Sequence, residues 1–469
     1  MNYRLSRQEL EAKQEYLEFI KEYVCRLDKG PYYQQRYTWR DAEIGDDGKE
    51  DRKRESITRW SPYTHSEVKA DFLGGGFGDY LSGYNKDQEA VVRAELEDVL
   101  VTVSLENKVD YAGPVAGRKV GIREFNGTRI LVTEGPKLVI PEKGDWSSLG
   151  LIFERMFGAD QIDYFYSWYK RVLQSLLSGN AISIHFFAMC GPVNSGKTWL
   201  QEAVISEMLG GYGSPNQYMS EGTPFNADLF RTPHQMLSDA KGSISFEKRR
   251  TFGSFVKDIV ANTGHRCHGK GEKAIELDPI WVATCSCNTS PIERLRILPP
   301  LDDDIRDKMI ITLVTPGKMP IDTADAEGRE EFRVWTKRQL PAFAWWLLNE
   351  YTIPAEIALP DRFGIKGYCH PEIEQQLVEL SPDARVRDYI QNTLFCSNGQ
   401  GQTWRGSNEE LTRLFNTEEG RRVLKSAKGR LCDILSRLMN VYPKEFIRKK
   451  NNDHRFWILN APVADSDVL

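Results

Sequence analysis

Apolar residues recur at helical spacing at Leu10, Leu17, Ile20, Val24 and Leu27, and Ser6 with Glu9 forms a capping box ahead of them. The pattern predicts an amphipathic helix over residues 7–28. Residues 36–59 are dense in charge and poor in aliphatics, with Gly45-Asp-Asp-Gly48 inside, which is the composition of an exposed, mobile segment. Helical spacing returns at about 87–100 and then gives way to period 2. Two β-prone runs, 120–125 and 128–133, flank Asn126-Gly127, the strongest short hairpin signal, and place a small β subdomain at about 109–141. Residues 148–179, with Ile152, Met156, Phe165, Trp168 and Leu173, are helical again.

The most informative stretch follows. A β-rich apolar run from Ala181 to Cys190 ends in Gly191-Pro192-Val193-Asn194-Ser195-Gly196-Lys197-Thr198, and Trp199-Leu-Gln-Glu-Ala-Val-Ile-Ser-Glu-Met-Leu reads as an amphipathic helix. Strand, glycine loop and helix in that order are the context a phosphate-binding loop requires. Gly191 and Gly196 let successive N–H groups and the positive helix end face a polyphosphate. Lys197 would reach the β/γ-phosphates and the Thr198 hydroxyl would ligate a metal, so the implied cofactors are ATP and Mg²⁺. Leu73-Gly-Gly-Gly-Phe-Gly78 has neither a preceding strand nor a following Lys-Ser/Thr and reads as a flexible turn.

Downstream, Gln235-Met-Leu-Ser-Asp239 is a short apolar strand ending in an acid, the place from which a nucleotidase holds its metal's water shell or polarises the attacking water. Pro279 to Asn288 is a second buried-looking strand ending in an amide, which at a strand tip can hydrogen-bond both the γ-phosphate and the lytic water. Between them, residues 264–277 have the glycines and basic residues of a hairpin with a charged tip. Arg306 and Lys308 precede a further strand. The N-terminal third contains no His-apolar-His pair, and Asp46, Asp47, Glu50 and Asp51 do not sit on an apolar strand. Neither a tyrosine nickase nor a primase-type carboxylate pair is therefore visible.

Near the C-terminus, Ser407 to Phe415 reads as a short capped helix, Arg421 to Asn440 as a longer basic helix, and Phe446 to Leu459 as two strands around a basic, polar turn. This is a winged-helix pattern, with Arg421, Arg422 and Lys425 on the helix and Arg448, Lys449, Lys450, His454 and Arg455 on the wing. Charge supports it: residues 420–455 carry eleven Lys/Arg against three acids, leaving −13 for the rest of a chain whose net charge is −5. Nucleic-acid binding is thus expected to be local.

Composition adds bounds. At 469 residues, 40% hydrophobic and 28% charged, the chain is an ordinary globular one, with a length suggesting about three domains. No apolar run approaches the roughly 20 residues of a membrane span, and the N-terminus lacks a signal-peptide core. A cytoplasmic protein without membrane partners is expected, in a bacterial cytoplasm or an intracellular host compartment. Eight cysteines, none in C-x-x-C, point to reduced thiols, and His265-Arg-Cys267-His268 lacks the second ligand pair of a zinc site.

The loop form G-P-x-N-x-G-K-[ST], met by Gly191 to Thr198, together with the run from loop to acid, basic hairpin, strand-terminal Asn and cation, resembles the superfamily 3 helicases. The nearer likeness is to the helicase portion of phage, satellite and poxvirus-type primase-helicases. It covers roughly 146–315 and, less closely, 380–460. The resemblance implies an α/β fold with an AAA+-like P-loop NTPase core at 146–320. Around it would lie an N-terminal helical region (1–107), a small β subdomain (108–145), a helical connection (321–379) and a winged-helix DNA-binding domain (380–469), the first two acting as a collar. It further implies that Lys197 and Thr198 bind phosphate and Mg²⁺, Asp239 serves the second acidic motif and Asn288 is the sensor. Lys270, with Lys273 and His268, would form the pore hairpin that touches DNA. A cation at 306–308 would be the finger completing the neighbouring subunit's site.

Two departures qualify the likeness. Where such helicases carry two adjacent acids, this chain has Ser238-Asp239, so Asp239 acts alone through water, another acid such as Glu247 folds in, or hydrolysis is slow. By offset from the following strand the finger falls on Lys308, whereas a planar fork favours Arg306. The expected activity is an ATP-dependent hexameric DNA helicase for replication of a virus, phage or mobile element, moving on single-stranded DNA with duplex DNA as a second contact. A separate primase or polymerase is a candidate partner. The rivals are a sequence-specific initiator or regulator holding ATP as a structural ligand and, third, an RNA-directed ATPase.

Overall fold

The computed structural model describes residues 21, 24–28, 30–38, 43–44, 50–51, 57–72, 89–216, 223–237, 246–261, 264–290, 295, 298–299, 301, 303–317, 319–379, 381–396, 403–427, 429–451 and 454–461. Its centre is a six-stranded sheet made of β1 (Phe186–Gly191), β2 (Tyr212–Gly213), β3 (His234–Leu237), β4 (Val282–Asn288), β5 (Met309–Leu313) and β6 (Tyr368–Cys369). The order is β2-β3-β4-β1-β5-β6, and every neighbouring pair is parallel. Every residue of β1 and β4 is buried, as expected of strands covered on both faces. Alternation divides β1 between two cores. Phe187 and Met189 join Phe153, Phe165, Trp168 and Phe343 on one face, while Phe186, Ala188 and Cys190 join Phe252, Val256 and Ile259 on the other.

The first core is closed by the helices Ser147–Ser178 and Ala326–Asn349. The former matches the predicted helix but is kinked at Gly158, whose φ of 68° leaves the helical region. The helix at Glu89–Glu106 extends the predicted 87–100 segment. The Asn-Gly hairpin is present: Gly121–Phe125 pairs antiparallel with Thr128–Val132, and Asn126 and Gly127 both take positive φ, 50° and 74°.

Three expectations are corrected. Val24–Leu27 is not helical but a strand, antiparallel to Tyr32–Thr38 and parallel to Lys108–Val109. Asn107 holds it there, its Nδ2 donating to the carbonyls of Val24 (2.6 Å) and Lys21 (2.7 Å), while Cys25 packs with Trp60, Val109 and Leu131. These distant partners override the local helical spacing; residues 1–20, with the capping box, lie outside the described residues. Second, the charged 36–59 segment contributes to an antiparallel ladder, Tyr32–Thr38 against Ile57–Tyr63, because backbone pairing does not require aliphatic side chains. Third, the basic helix is two helices, Glu418–Ser426 and Leu431–Val441, with Gly429 at a φ of 138° between them. The glycine segment 73–78 lies outside the described residues.

The C-terminal part has its own core around Ile390, Leu411, Ile434, Leu435, Phe446 and Trp457. There the Asn408–Leu414 helix is opened by a reciprocal Ser407–Glu410 capping box, and Thr403–Gly406, His454–Asn460 and Phe446–Asn451 form an antiparallel sheet in that order. Among the described residues no helix is long and apolar enough to cross a membrane.

Candidate nucleotide-binding site

The site is built where β1 ends. Gly191 is the last residue of the strand, and the chain turns through Asn194 and Gly196, both left-handed at φ 63° and 84°. It then enters a helical segment running from Lys197 to Leu209, π-helical over Leu200–Ser206. Gly191 admits no side chain, since a Cβ there would lie 2.4 Å from the Val314 carbonyl oxygen. Beside Gly196 stand Met156, from the first core helix, and Met319.

Lys197 is buried, and its three ammonium protons are shared among four oxygens within hydrogen-bond distance: Gly191 O (3.1 Å), Pro192 O (2.7 Å), Ser195 Oγ (3.0 Å) and Asn288 Oδ1 (3.2 Å). Asn288 ends β4 and is the register partner of Gly191, so two parallel strands deliver the loop and the amide to the same carboxyl edge. Ser195 is also buried, whereas Val193, Asn194 and Thr198 are exposed. Beneath Gly191 and Asn288, the thiols of Cys190 and Cys287 meet at 3.1 Å, and burial pushes the Cys190 thiol well up.

The donor set fits a polyphosphate and its cation. The Lys197 ammonium is held among oxygen acceptors, the kind of partner a phosphate offers, and the neighbouring Thr198 is exposed. Asp239 and the Glu247 side chain lie outside the described residues; β3, which precedes Asp239, ends at Leu237 beside β4.

Arg306 and Lys308 stand at the other end of the sheet. Arg306 closes the short Asp303–Arg306 helix and pairs with Glu374, while Lys308 pairs with Asp307 and its carbonyl accepts from the N–H of Phe186, the first residue of β1. At ~3.3 Å per residue, the length of β1 puts ~16 Å between that end and Gly191. Within one chain the two cations and Lys197 are therefore apart.

The predicted hairpin pairs His265–Cys267 with Ile275–Leu277, and Lys270 and Lys273 are exposed at its tip. Phe225 and Asn226, which the sequence reading did not single out, brace it. Asn226 Oδ1 accepts from the His268 N–H (2.8 Å), its Nδ2 donates to Arg266 O (2.8 Å), and Phe225 meets the His268 ring edge-on at 5.0 Å. Only a spatial partner reveals such an Asn. In the C-terminal sheet, Arg448, Lys449, Lys450 and Arg455 are exposed, and Lys450 and Arg455 are register partners. Arg405, also missed, lies over the Phe456 ring at 4.0 Å. Arg421, Arg422 and Lys425 are exposed on the Glu418–Ser426 helix, Arg422 paired with Glu418.

No family model and no curated protein matches the chain. Among solved structures it is similar to the apo structure of the NrS-1 C-terminal region, with a TM-score of 0.52 at 12% identity over 98% of this chain and 100% of that one. A second, A form apo structure of the same region gives a TM-score of 0.51 at 12% identity over 96% and 98%. At that identity the likeness is one of fold. A JCV helicase with a bound thiazolopyridine acetamide aligns over 50% of this chain and 58% of its own at 15% identity, with a TM-score of 0.26 that carries no argument.

Proposed function

We propose that the chain is an ATP-driven, ring-forming DNA helicase of the superfamily 3 type, acting in the replication of a virus, phage or mobile element. The observation that carries this reading is the contact of Lys197 Nζ with Asn288 Oδ1 at the carboxyl edge of a parallel sheet. It joins a phosphate-binding cation to an amide able to orient a water. ATP with Mg²⁺ supplies an activated phosphoryl bond and the charge neutralisation its cleavage needs. Around that chemistry the loop N–H groups and Lys197 bind phosphate oxygens, Thr198 and Asp239 hold the cation and its water, and Asn288 orients the attacking water. Arg306 or Lys308 serves the next subunit's site, a role to which their place at the opposite strand end is suited. His268, Lys270 and Lys273 hold the phosphates of one DNA strand, and residues 380–469, read as a winged helix, contact duplex DNA through Arg448, Lys449, Lys450 and Arg455.

A strand-displacement assay on a forked duplex tests the reading. The wild-type protein is expected to unwind with ATP and Mg²⁺ and Lys197→Ala to be inactive; equal behaviour of the two would overturn it. Ser238, standing where such helicases carry an acid, favours the second reading, an initiator with structural ATP. That protein would bind ATP and protect a specific site without turnover stimulated by single strands.

A further inference from the structure

Four polar side chains below the nucleotide-binding edge form a closed circuit. Gln201, His234 and Thr284 are wholly buried and Ser206 nearly so. They come from the helical segment after the loop, from β3 and from β4. Gln201 Nε2 donates to Leu237 O (3.2 Å) and to Thr284 Oγ1 (2.8 Å), and the carbonyl contact fixes which end of the amide faces Thr284. Ser206 Oγ donates to Gln201 O at 2.7 Å, five residues back, the spacing of a π-turn.

With its proton committed, the Ser206 hydroxyl accepts at its other contact, from His234 Nδ1 at 2.8 Å. His234 Nε2 is then the acceptor of a hydrogen bond that the Thr284 hydroxyl donates, also at 2.8 Å. Every bond runs the same way round, from the Gln201 amide through Thr284, His234 and Ser206 back to the Gln201 carbonyl. Only the neutral, Nδ1-protonated histidine completes it.

The placement of the circuit gives it a task. Gln201 stands four residues after Lys197, and Thr284 four residues before Asn288 on the same face of β4. The Gln201–Thr284 bond is thus a second rung beneath the Lys197–Asn288 contact, joining the same helical segment to the same strand. His234 adds β3, the strand that leads to Asp239.

We propose that Gln201, Ser206, His234 and Thr284 are positioning residues that hold the loop helix, β3 and β4 in register, so that Lys197 and Asn288 meet the reacting phosphate at a fixed separation. This rests on the nucleotide-hydrolysing reading above.

The test compares Thr284→Val, which keeps shape and removes the hydroxyl, with Thr284→Ser, which keeps the hydroxyl. Thr284→Val is expected to lower kcat for ATP by about tenfold or more while leaving KM within about threefold, because small misplacements act on the chemical step. Thr284→Ser is expected to recover most of the rate. In ¹⁵N-histidine-labelled wild type, the signal absent from His234→Gln is expected to show a neutral Nδ1–H tautomer. The proposal falls if Thr284→Val turns over like wild type, if Thr284→Ser is no better than Thr284→Val, or if His234 is Nε2-protonated or charged. A wild-type protein with no ATPase at all would end the motor reading, and the circuit's role in hydrolysis with it; an active wild type matched by Thr284→Val would end the circuit's role alone.

Discussion

Replacing Lys197 by methionine separates what the lysine does for the fold from what it does for the ligand. The side chain keeps its length and loses its charge at a site where the ammonium is buried and contacts four oxygens. Of these, Gly191 O keeps the N–H of Thr289 at 3.1 Å. No opposite charge is left behind, and the cost of burying the ammonium is relieved, but the neutral acceptors lose a donor, so the nucleotide-free protein is expected to lose about 1–3 kcal/mol. Binding behaves differently. Two charge-assisted hydrogen bonds to phosphate oxygens, at about 1.5–3 kcal/mol each, correspond to a loss of about 10²–10⁴-fold in ATP affinity. The assay is thermal unfolding with and without ATP and Mg²⁺. Nucleotide at about 100 times its Kd adds about 2.7 kcal/mol to the wild-type folded state, a rise of about 5–10 °C for a unit of this core's size. Lys197→Met is expected to fold with a nucleotide-free midpoint lowered by about 2–10 °C and to lose that rise. A variant whose midpoint climbs with nucleotide as steeply as wild type would refute the assignment.

His185 and His234 are buried, which lowers their pKa values to about 4 and about 3, below the ~6.5 of an unfolded histidine. The unfolded chain therefore binds the extra protons, and their contribution to stability is full above about pH 6.5 and falls with acidification, by up to about 1.4 kcal/mol per pH unit for each. Urea midpoints that stay flat between about pH 7 and pH 5, above the carboxylate range, would contradict this. Arg387 grips the nearly buried Glu445 with two bonds of 2.7 and 2.6 Å, so Arg387→Met is expected to destabilise the C-terminal part by about 3–5 kcal/mol in urea unfolding, and a loss below about 1 kcal/mol would count against that geometry. Lys270→Ala with Lys273→Ala is expected to flatten the dependence of single-strand affinity on salt, by about 0.7 in log–log slope per lost phosphate contact, and an unchanged slope would remove the hairpin from the DNA path. Because Lys197 and Arg306 stand at opposite strand ends, a one-to-one mixture of Lys197→Ala and Arg306→Ala is expected to regain about a quarter of wild-type ATPase if sites form between chains, and no activity if they do not.

What could be read in advance divides along a physical line. The strand, turn and helix at Gly191 to Thr198 were legible because the residues that make the turn are contiguous in the chain. The Asn126-Gly127 hairpin was legible for the same reason: two adjacent residues that tolerate positive φ decide it. Val24–Leu27 was misread because what makes it a strand is Asn107, more than eighty positions away, whose amide takes the backbone oxygens an added helical turn would have used. The helix predicted across 421–440 failed at Gly429, whose left-handed backbone outweighs the continuous run of basic and apolar residues on either side. His234 is the extreme case. In His-Gln-Met-Leu nothing marks the histidine, and its protonation state is a property of no single segment. It is set only when the π-turn brings Ser206 to one nitrogen and the parallel register of β3 with β4 brings Thr284 to the other. A group that must be satisfied by two elements at once can be assigned a role only after both are placed, which is why the loop was visible in the sequence and the circuit beneath it was not.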